Sequence, residues 1–318
     1  MKIEIKSRDG IGILAAFAEQ VGGNVINGRV DVPEKFGTGF MQGYSFDERL
    51  RMMIVRYELH RDFAVSRKNQ PANMLLFNFQ HIITSSQTQT GTKLQPSVQI
   101  TTQGLNAELF VPKNTIQNSI TLSIDAEYLR ELIGARIDHP LINSILDNKQ
   151  PLLFEEFISV PLLKVVEDIV SSKVPALLQD FYYKLKSQEL ICQLLISLVR
   201  RDEKKVYSFN TADIKMLYKV KDRLLQNIEK APTIAELSNF SGMSETKLKR
   251  LFHQVFGKSI FQYFQNSRMQ EAARLLKNGL SVSEVGYQLG FSNLGHFTKV
   301  FEQVIGVKPK RYSKLKDN

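Results

Sequence analysis

The chain has 318 residues, 43% of them hydrophobic and 23% charged, and 42 Lys and Arg against 32 Asp and Glu give a net charge of +10. That length allows two domains with separate cores, and the composition is that of an ordinary globular protein. No run of about 18 apolar residues offers a membrane span.

The start, MKIEIKSRDGIGI, lacks the basic flank and long apolar stretch of a secretion signal. The single cysteine, Cys192, excludes an internal disulfide, so a reducing, cytoplasmic location is expected.

From Gly39 to Ile124 short β-rich runs alternate with turns. Strands are predicted at Phe40–Phe46, Leu50–Leu59, Met74–Phe79, Val98–Thr102, Ala107–Val111 and Ser119–Ile124. Pro71, Gly91, Pro96, Gly104 and Pro112 punctuate them, and Gln87–Lys93 reads as a flexible hairpin loop. Many short strands at this spacing predict a small barrel or sandwich.

After Ile124 the pattern turns helical, at Asp125–Ala135, Pro140–Asn148, Ser159–Ser171 and Pro175–Arg201. The last is amphipathic, with Leu177, Phe181, Leu185, Leu190, Leu194 and Leu198 spaced along it. Cys192 lies within the apolar stretch Leu190–Ile196, where a buried, inert thiol is expected. The segment from Arg200 to Asn210 is polar and charge-dense. A linker is therefore placed at 205–212, between a domain of residues 1–204 and another of residues 213–318.

Charge divides the same way. Residues 1–210 carry 24 basic against 23 acidic side chains, whereas residues 211–318 carry 18 against 9. A basic domain beside a neutral one favours a polyanionic partner, because each neutralised phosphate releases condensed counterion. A solvated basic surface would have the same composition, so charge alone does not decide.

An internal repeat does. Thr233-Ile-Ala-Glu-Leu-Ser-Asn-Phe-Ser-Gly-Met-Ser244 aligns with Ser281-Val-Ser-Glu-Val-Gly-Tyr-Gln-Leu-Gly-Phe-Ser292 at an offset of 48. Each copy opens with a capping box, Thr233 with Glu236 and Ser281 with Glu284. Each then reaches a glycine, Gly242 or Gly290, that lets the chain turn after a helix. Ser244 and Ser292 are placed to cap second helices.

Those second helices match at an offset of 49. Leu248, Leu251, Phe252, Val255 and Phe256 share one apolar face, as do Phe297, Val300, Phe301, Val304 and Ile305. The exposed faces carry Lys247, Lys249 and Arg250 in the first copy, and His296 and Lys299 in the second. Helix, glycine turn and helix, made twice, is a paired helix-turn-helix. A solenoid of αα-hairpins is the alternative, weakened because solenoids need three or more repeats. Between the units, Ile260 to Gly279 predicts a helix of about 18 residues, roughly 27 Å long. Such a spacer suits two reading helices set about one DNA turn, roughly 34 Å, apart.

Residues 214–313 thereby resemble the AraC/XylS family of bacterial transcription regulators. The first unit reads A-E-L-S-x-x-S-G-M-S-x-x-x-L-x-R-L-F-x-x-x-F-G from Ala235 to Gly257. The linker helix supplies Tyr263, Arg268, Ala272, Leu275 and Leu276, and the end reads G-F-S-x-x-x-x-F-x-K-V-F-x-x-x-x-G-V-K-P from Gly290 to Pro309, then Arg311-Tyr312. Three positions depart from the family pattern. Ile260 stands where proline is frequent, Glu302 where lysine is common, and Gly295 where a longer side chain is usual. Gly295 costs about 1 kcal/mol of helix propensity relative to alanine. Together these departures lead to the expectation that the second unit reads fewer base edges than the first, or reads them more loosely.

The resemblance implies double-stranded DNA as a partner. It implies base contacts from Thr246, Lys249 and Arg250 in the first unit, with Lys249 or Arg250 suited to guanine O6 and N7. In the second unit the corresponding residues are Leu294, Gly295, His296 and Lys299, with Leu294 suited to a thymine methyl. Ser244, Lys247, Ser292 and Asn293 suit phosphate contacts. RNA polymerase is a further partner implied by the family.

The amino-terminal region resembles those of AraC-type regulators, in particular a subgroup similar to the pyochelin-receptor regulator. That implies a small-molecule sensor and dimerisation domain, and in this family a helix such as Pro175–Arg201 often pairs subunits. Packing on its own barrel is the other role open to that helix. Phe40, Tyr44, Arg56, Tyr57, Phe77 and Phe79 are candidates for lining the effector pocket. The effector is unidentified. The fold class expected is α+β, a barrel- or sandwich-like sensor with helices followed by an all-α domain of two helix-turn-helix units joined by a long helix.

Metal or enzyme chemistry finds little support. His60, His81 and His139 in the first half show no H-x-H or H-E-x-x-H spacing, and no phosphate-cradling glycine loop or G-x-S-x-G elbow occurs. No cofactor, metal or catalytic residue is expected. The leading reading is a ligand-responsive transcription activator. An architectural DNA-binding protein without effector, and a DNA-targeted enzyme or alkyl acceptor using Cys192, are the alternatives.

Overall fold

The computed structural model describes residues 2–5, 11–67, 73–82, 96–102, 108–134, 138–201, 207 and 209–314. The loop expected at Gln87–Lys93, the punctuating residues Pro71, Gly91 and Gly104, and Lys205, Val206 and Ser208 of the stretch 205–212 lie outside the described residues. The chain divides into two compact units, Met1–Thr211 and Ala212–Asn318. The first is antiparallel sheet with helices and the second is helical, an α+β architecture.

Unit one opens with β1 (Lys2–Ile5) and α1 (Ile11–Val21), followed by β2 (Arg29–Asp31), β3 (Gly37–Ser45), β4 (Leu50–Leu59), β5 (Phe63–Arg67), β6 (Met74–Gln80), β7 (Ser97–Thr101), β8 (Glu108–Val111) and β9 (Ile116–Asp125). Then come α2 (Ala126–Ile133), α3 (Pro140–Asp147), β10 (Leu153–Phe157), α4 (Val160–Ser171), a short 3-10 turn at Ala176–Leu178, and α5 (Gln179–Val199). The strands form a seven-stranded sheet in the order β10-β7-β6-β9-β4-β3-β2 and a three-stranded sheet in the order β1-β5-β8. All pairs in the larger sheet are antiparallel, and β1 runs parallel to β5.

β4 shows how this sheet is used. Leu50, Met52 and Ile54 face one way and are buried, while Tyr57 and Leu59 are buried on the other side. Successive strand residues alternate faces, so both faces of β4 pack against something. The first face meets helices, with Ser187 of α5 against the Met52 sulfur at 3.7 Å. The second meets α1, where Phe17 stacks on Tyr57 at 5.2 Å and meets Phe63 edge-on at 5.7 Å. Leu14, Val21, Val30, Met41 and Val111 complete that cluster. α1 thus fills the space beside two sheets, as in a sandwich core.

Two sequence readings need correction here. The region after Ile124 is not wholly helical, because β10 adds to the edge of the sheet beside β7. Its anchor is Arg201, which pairs with Glu156 and donates to the Glu155 carbonyl at 2.6 Å. Pro175–Arg201 is not one continuous helix either, since a 3-10 turn precedes α5.

Unit two comprises α6 (Thr211–Leu225), α7 (Ile234–Ser241), α8 (Glu245–Phe256), α9 (Ile260–Lys277), α10 (Val282–Gln288), α11 (Leu294–Ile305) and α12 (Pro309–Tyr312). α6 starts inside the stretch read as linker. Its buried Ile214, Leu217, Val220 and Leu224 recur at steps of 3, 3 and 4, the stripe of a helix that packs on one side. α9 spans 18 residues and begins with a capping box of Ser259 and Gln262. Phe252, Phe264, Phe297 and Phe301 are fully buried in the cores around it.

Candidate nucleic-acid interface

In the first pair of helices, local chemistry sets the turn. The Thr233 hydroxyl accepts from the Glu236 N–H at 3.2 Å, and the Glu236 carboxylate accepts from the Thr233 N–H at 2.6 Å. Those bonds start α7 and hold the Glu236 carboxyl below its usual range. Gly242 ends it at φ 65°, in the left-handed region. Two hydroxyls then fasten the turn: Ser238 donates to the Met243 carbonyl at 2.6 Å, and Ser241 donates to the Ser238 carbonyl at 3.1 Å. Ser244 caps α8 by accepting from the Lys247 N–H at 3.3 Å.

α8 buries Leu248, Leu251, Phe252, Val255 and Phe256, and so turns Thr246, Lys249 and Arg250 to solvent. Lys249 pairs along the helix with Glu245 at 2.9 Å. Lys247 is half-buried and pairs with Asp213 of α6 at 2.9 Å, so it belongs partly to the frame of the unit rather than to its open face.

The second pair repeats the design with different parts. Ser281 and Glu284 form the capping box of α10, and Gly290 takes φ 77°. A Cβ on Gly290 would lie 2.8 Å from the Glu229 carbonyl oxygen, so this turn is also pressed against the loop before α7. The hydroxyls of the first turn are replaced here by Gly286 and Leu289. Arg268 of α9 fills the role instead, donating to the Leu289 carbonyl.

Ser292 does not cap α11. Asn293 does, accepting from the His296 N–H at 2.9 Å. Ser244 and Asn293 are the equivalent caps, 49 residues apart, which accounts for the change of offset between the two copies. Ser292, Asn293, Gly295, His296 and Lys299 are exposed. Leu294 is half-buried over Gly286, where an added Cβ would meet its Cδ2 at 2.5 Å. Its apolar surface therefore helps join α10 to α11 and is less open to a thymine methyl than expected. Gly295 is the second residue of α11, within the first turn rather than the interior.

Of the six residues expected to line one effector pocket, the register places Phe40, Tyr44, Arg56, Phe77 and Phe79 on one face of the sheet and Tyr57 on the other. Phe77 and Phe79 are fully buried, and pairing through β9 and β4 places them on the face of Met52 and Ile54. Tyr57 lies on the opposite face, in the α1 cluster. Phe40 and Arg56 are cross-strand partners, with Phe40 half-buried under the Arg29 guanidinium at 3.7 Å and Arg56 exposed. Tyr44 packs on Tyr183 of α5 at 4.3 Å, and burial raises its pKa above the usual tyrosine range.

Cys192 is exposed, against expectation. α5 buries Tyr183, Leu190, Ile191, Leu194 and Leu198 on one side, and Cys192 falls on the other. Among the described residues, no group of three or more His, Cys, Asp or Glu is placed to hold a metal, and no helix is long and apolar enough to cross a membrane.

Comparison with known proteins meets this geometry in the second unit. Residues 237–315 match the model of a helix-turn-helix domain family. The HTH-type transcriptional activator RhaR of Mannheimia succiniciproducens is 30% identical over 129 residues, which are 40% of this chain and 45% of that protein. The probable transcriptional regulator LumQ of Photobacterium leiognathi is 28% identical over 127 residues, 40% of this chain and 49% of LumQ. The virulence regulon transcriptional activator VirF of Shigella sonnei is 27% identical over 170 residues, 52% of this chain and 59% of VirF. The chain thus spans about half the length of these relatives. An AraC-type transcriptional regulator from Chromobacterium violaceum, solved by crystallography, is 25% identical with a TM-score of 0.31, covering 33% of this chain and 94% of that one. The carboxy-terminal unit carries a helix-turn-helix domain over residues 237–315.

Proposed function

We propose that the chain is a sequence-specific, DNA-binding transcription regulator, an activator that responds to a small-molecule effector. The observation that carries this reading is the doubled, capped turn that presents Thr246, Lys249 and Arg250 from α8, and Gly295, His296 and Lys299 from α11, on exposed helix starts. A helix of this kind enters the major groove with its amino-terminal residues against base edges. Arg250 and Lys249 offer donors to guanine, and His296 and Lys299 are the polar side chains of the second helix. Ser244, Ser292, Asn293 and the adjacent helix N-termini would hold phosphates, with Lys247 in a lesser part.

Unit one supplies the sensor and the pairing surface. α5 exposes Phe181, Leu185, Cys192, Ile196 and Val199, at successive steps of 4, 7, 4 and 3. That is the 3–4 spacing of a helix seam that takes a second helix. A homodimer through α5 would hold two DNA-binding units at high effective concentration over paired sites. An effector would act by favouring one arrangement of those units, to the extent of its differential affinity for the two. RNA polymerase is the partner through which activation would proceed.

Selection of genomic DNA fragments by the purified chain at fixed salt, repeated with Arg250→Ala, tests this reading. A recurrent bipartite motif that the variant loses or relaxes supports base reading by α8. Diffuse, salt-sensitive binding that the substitution leaves unchanged would sink it.

A further inference from the structure

The two faces of the seven-stranded sheet are unlike. Directly paired residues share a face, so the register groups the side chains without ambiguity. Met52, Leu122, Phe77, Ile100 and Phe154 form one row on the helix-covered face, all of them buried. On the reverse face Arg51 stands opposite Ser123, and the next row runs Thr121, Asn78, Gln99. Five polar side chains thus sit together on the middle strands. A freely solvated antiparallel face would expose them, yet each is half-buried.

We infer that this polar face binds a small carboxylate-bearing molecule with Arg51 as its counter-ion. The inference rests on the effector-responsive reading above and names the chemistry of the effector. Arg51 Nε is screened from solvent and has no hydrogen-bond partner. A guanidinium donor in that state costs free energy until an acceptor arrives, and a carboxylate matches its planar fork with two bonds. Thr121 donates to the Asn78 oxygen at 3.1 Å, which leaves the Asn78 amide nitrogen to donate to a ligand. Met53 and Val55, next on the same face of β4, are partly buried against the α1 cluster. They give an apolar ledge beside the charge, so the ligand is an acid with a short apolar body and a hydrogen-bonding group.

The test follows thermal unfolding of the full chain by circular dichroism, with benzoate and succinate as probes at about 10 mM and benzamide and succinamide as uncharged controls. At least one carboxylate raises Tm by about 3 °C or more, its amide does not, and Arg51→Gln abolishes the rise. Equal shifts from the amides, a shift retained in Arg51→Gln, or no shift from either carboxylate overturns the assignment. Without any probe, Arg51→Met raises Tm by about 2–4 °C, because it removes an unpartnered buried donor. A fall in Tm would mark Arg51 as a structural residue and overturn the inference. A carboxylate that stabilises through Arg51 but leaves DNA affinity unchanged keeps the site and removes the effector reading. One that alters DNA affinity equally in the wild type and Arg51→Gln keeps the effector reading and removes this site.

Discussion

The Arg268 guanidinium lies 4.0 Å from the centroid of the Phe291 ring and donates to the Leu289 carbonyl, tying α9 to the second turn. In the first unit serine hydroxyls fasten the turn from within. In the second a buried cation from the neighbouring helix does so, and the two halves of the repeat differ in what holds their reading helix.

Arg268→Met should therefore lower stability by about 1–3 kcal/mol, since it leaves a buried carbonyl without its charged donor. Arg268→Lys should not restore it, because an ammonium lacks the planar surface that stacks on Phe291 while bonding to Leu289. Denaturant unfolding measures the cost. Footprinting of a bound site should show protection lost at the half contacted by α11 and kept at the half contacted by α8. An unchanged denaturation midpoint for Arg268→Met would remove the clamp from the account.

The two turn glycines separate conformational strain from crowding. Gly242 and Gly290 both take positive φ, but a Cβ at Gly242 meets nothing within 4 Å, whereas one at Gly290 meets the Glu229 backbone oxygen at 2.8 Å. Gly242→Ala should cost about 1 kcal/mol, the strain of a left-handed residue. Gly290→Ala should cost more, about 2–4 kcal/mol, because the backbone it meets must also move. Equal losses in thermal melts would show that the contact with Glu229 does not constrain the turn.

Much of unit two was legible because its signals are local. Hydroxyl and carboxylate three residues apart, then a glycine, then a second capped helix, are chemical requirements written in adjacent residues. The second cap at Asn293 was missed because Ser292 aligns with Ser244 by sequence, and only the helix start shows that the chain runs one residue further. In unit one β3, β4, β6, β7, β8 and β9 were legible, while β1, β2, β5, β10 and the site were not. The alternation in β4 marks a strand, yet only pairing with β3 and β9 shows that Tyr57 and Phe77 face opposite ways. Cys192 shows the same limit. Its apolar neighbours suggested burial, while the 3.6-residue turn of α5 places it on the side away from Leu190, Ile191 and Leu194.

The capping boxes should make the helix-turn-helix units acid-sensitive. Bonds from the Thr233 backbone N–H and hydroxyl lower the Glu236 pKa from its ordinary 4.5, and bonds from Ser281 lower that of Glu284. A carboxyl with a lowered pKa in the folded state stabilises fully above its unfolded pKa, and that stability is lost as pH falls through the folded value. Tm should therefore drop as pH falls below the ordinary carboxyl value of 4.5, with Glu236→Gln combined with Glu284→Gln dropping less steeply there. Parallel curves for the wild type and the double variant would show that other carboxylates set the acid limb.

Exposure of Cys192 beside Phe181, Leu185, Ile196 and Val199 turns the pairing of α5 into a thiol measurement. In dilute native protein the thiol should react readily with a disulfide reagent, since it is open to solvent. If two copies pair along this stripe, the same residues become covered and the rate should fall as protein concentration rises. Leu185→Glu places a charge within the seam. It should abolish the concentration dependence and leave a monomer by sedimentation, while Tm in dilute solution changes little because Leu185 is 52% exposed. Reactivity that stays constant over the whole concentration range, in a protein that still sediments as a dimer, would place the dimer contact elsewhere on the molecule.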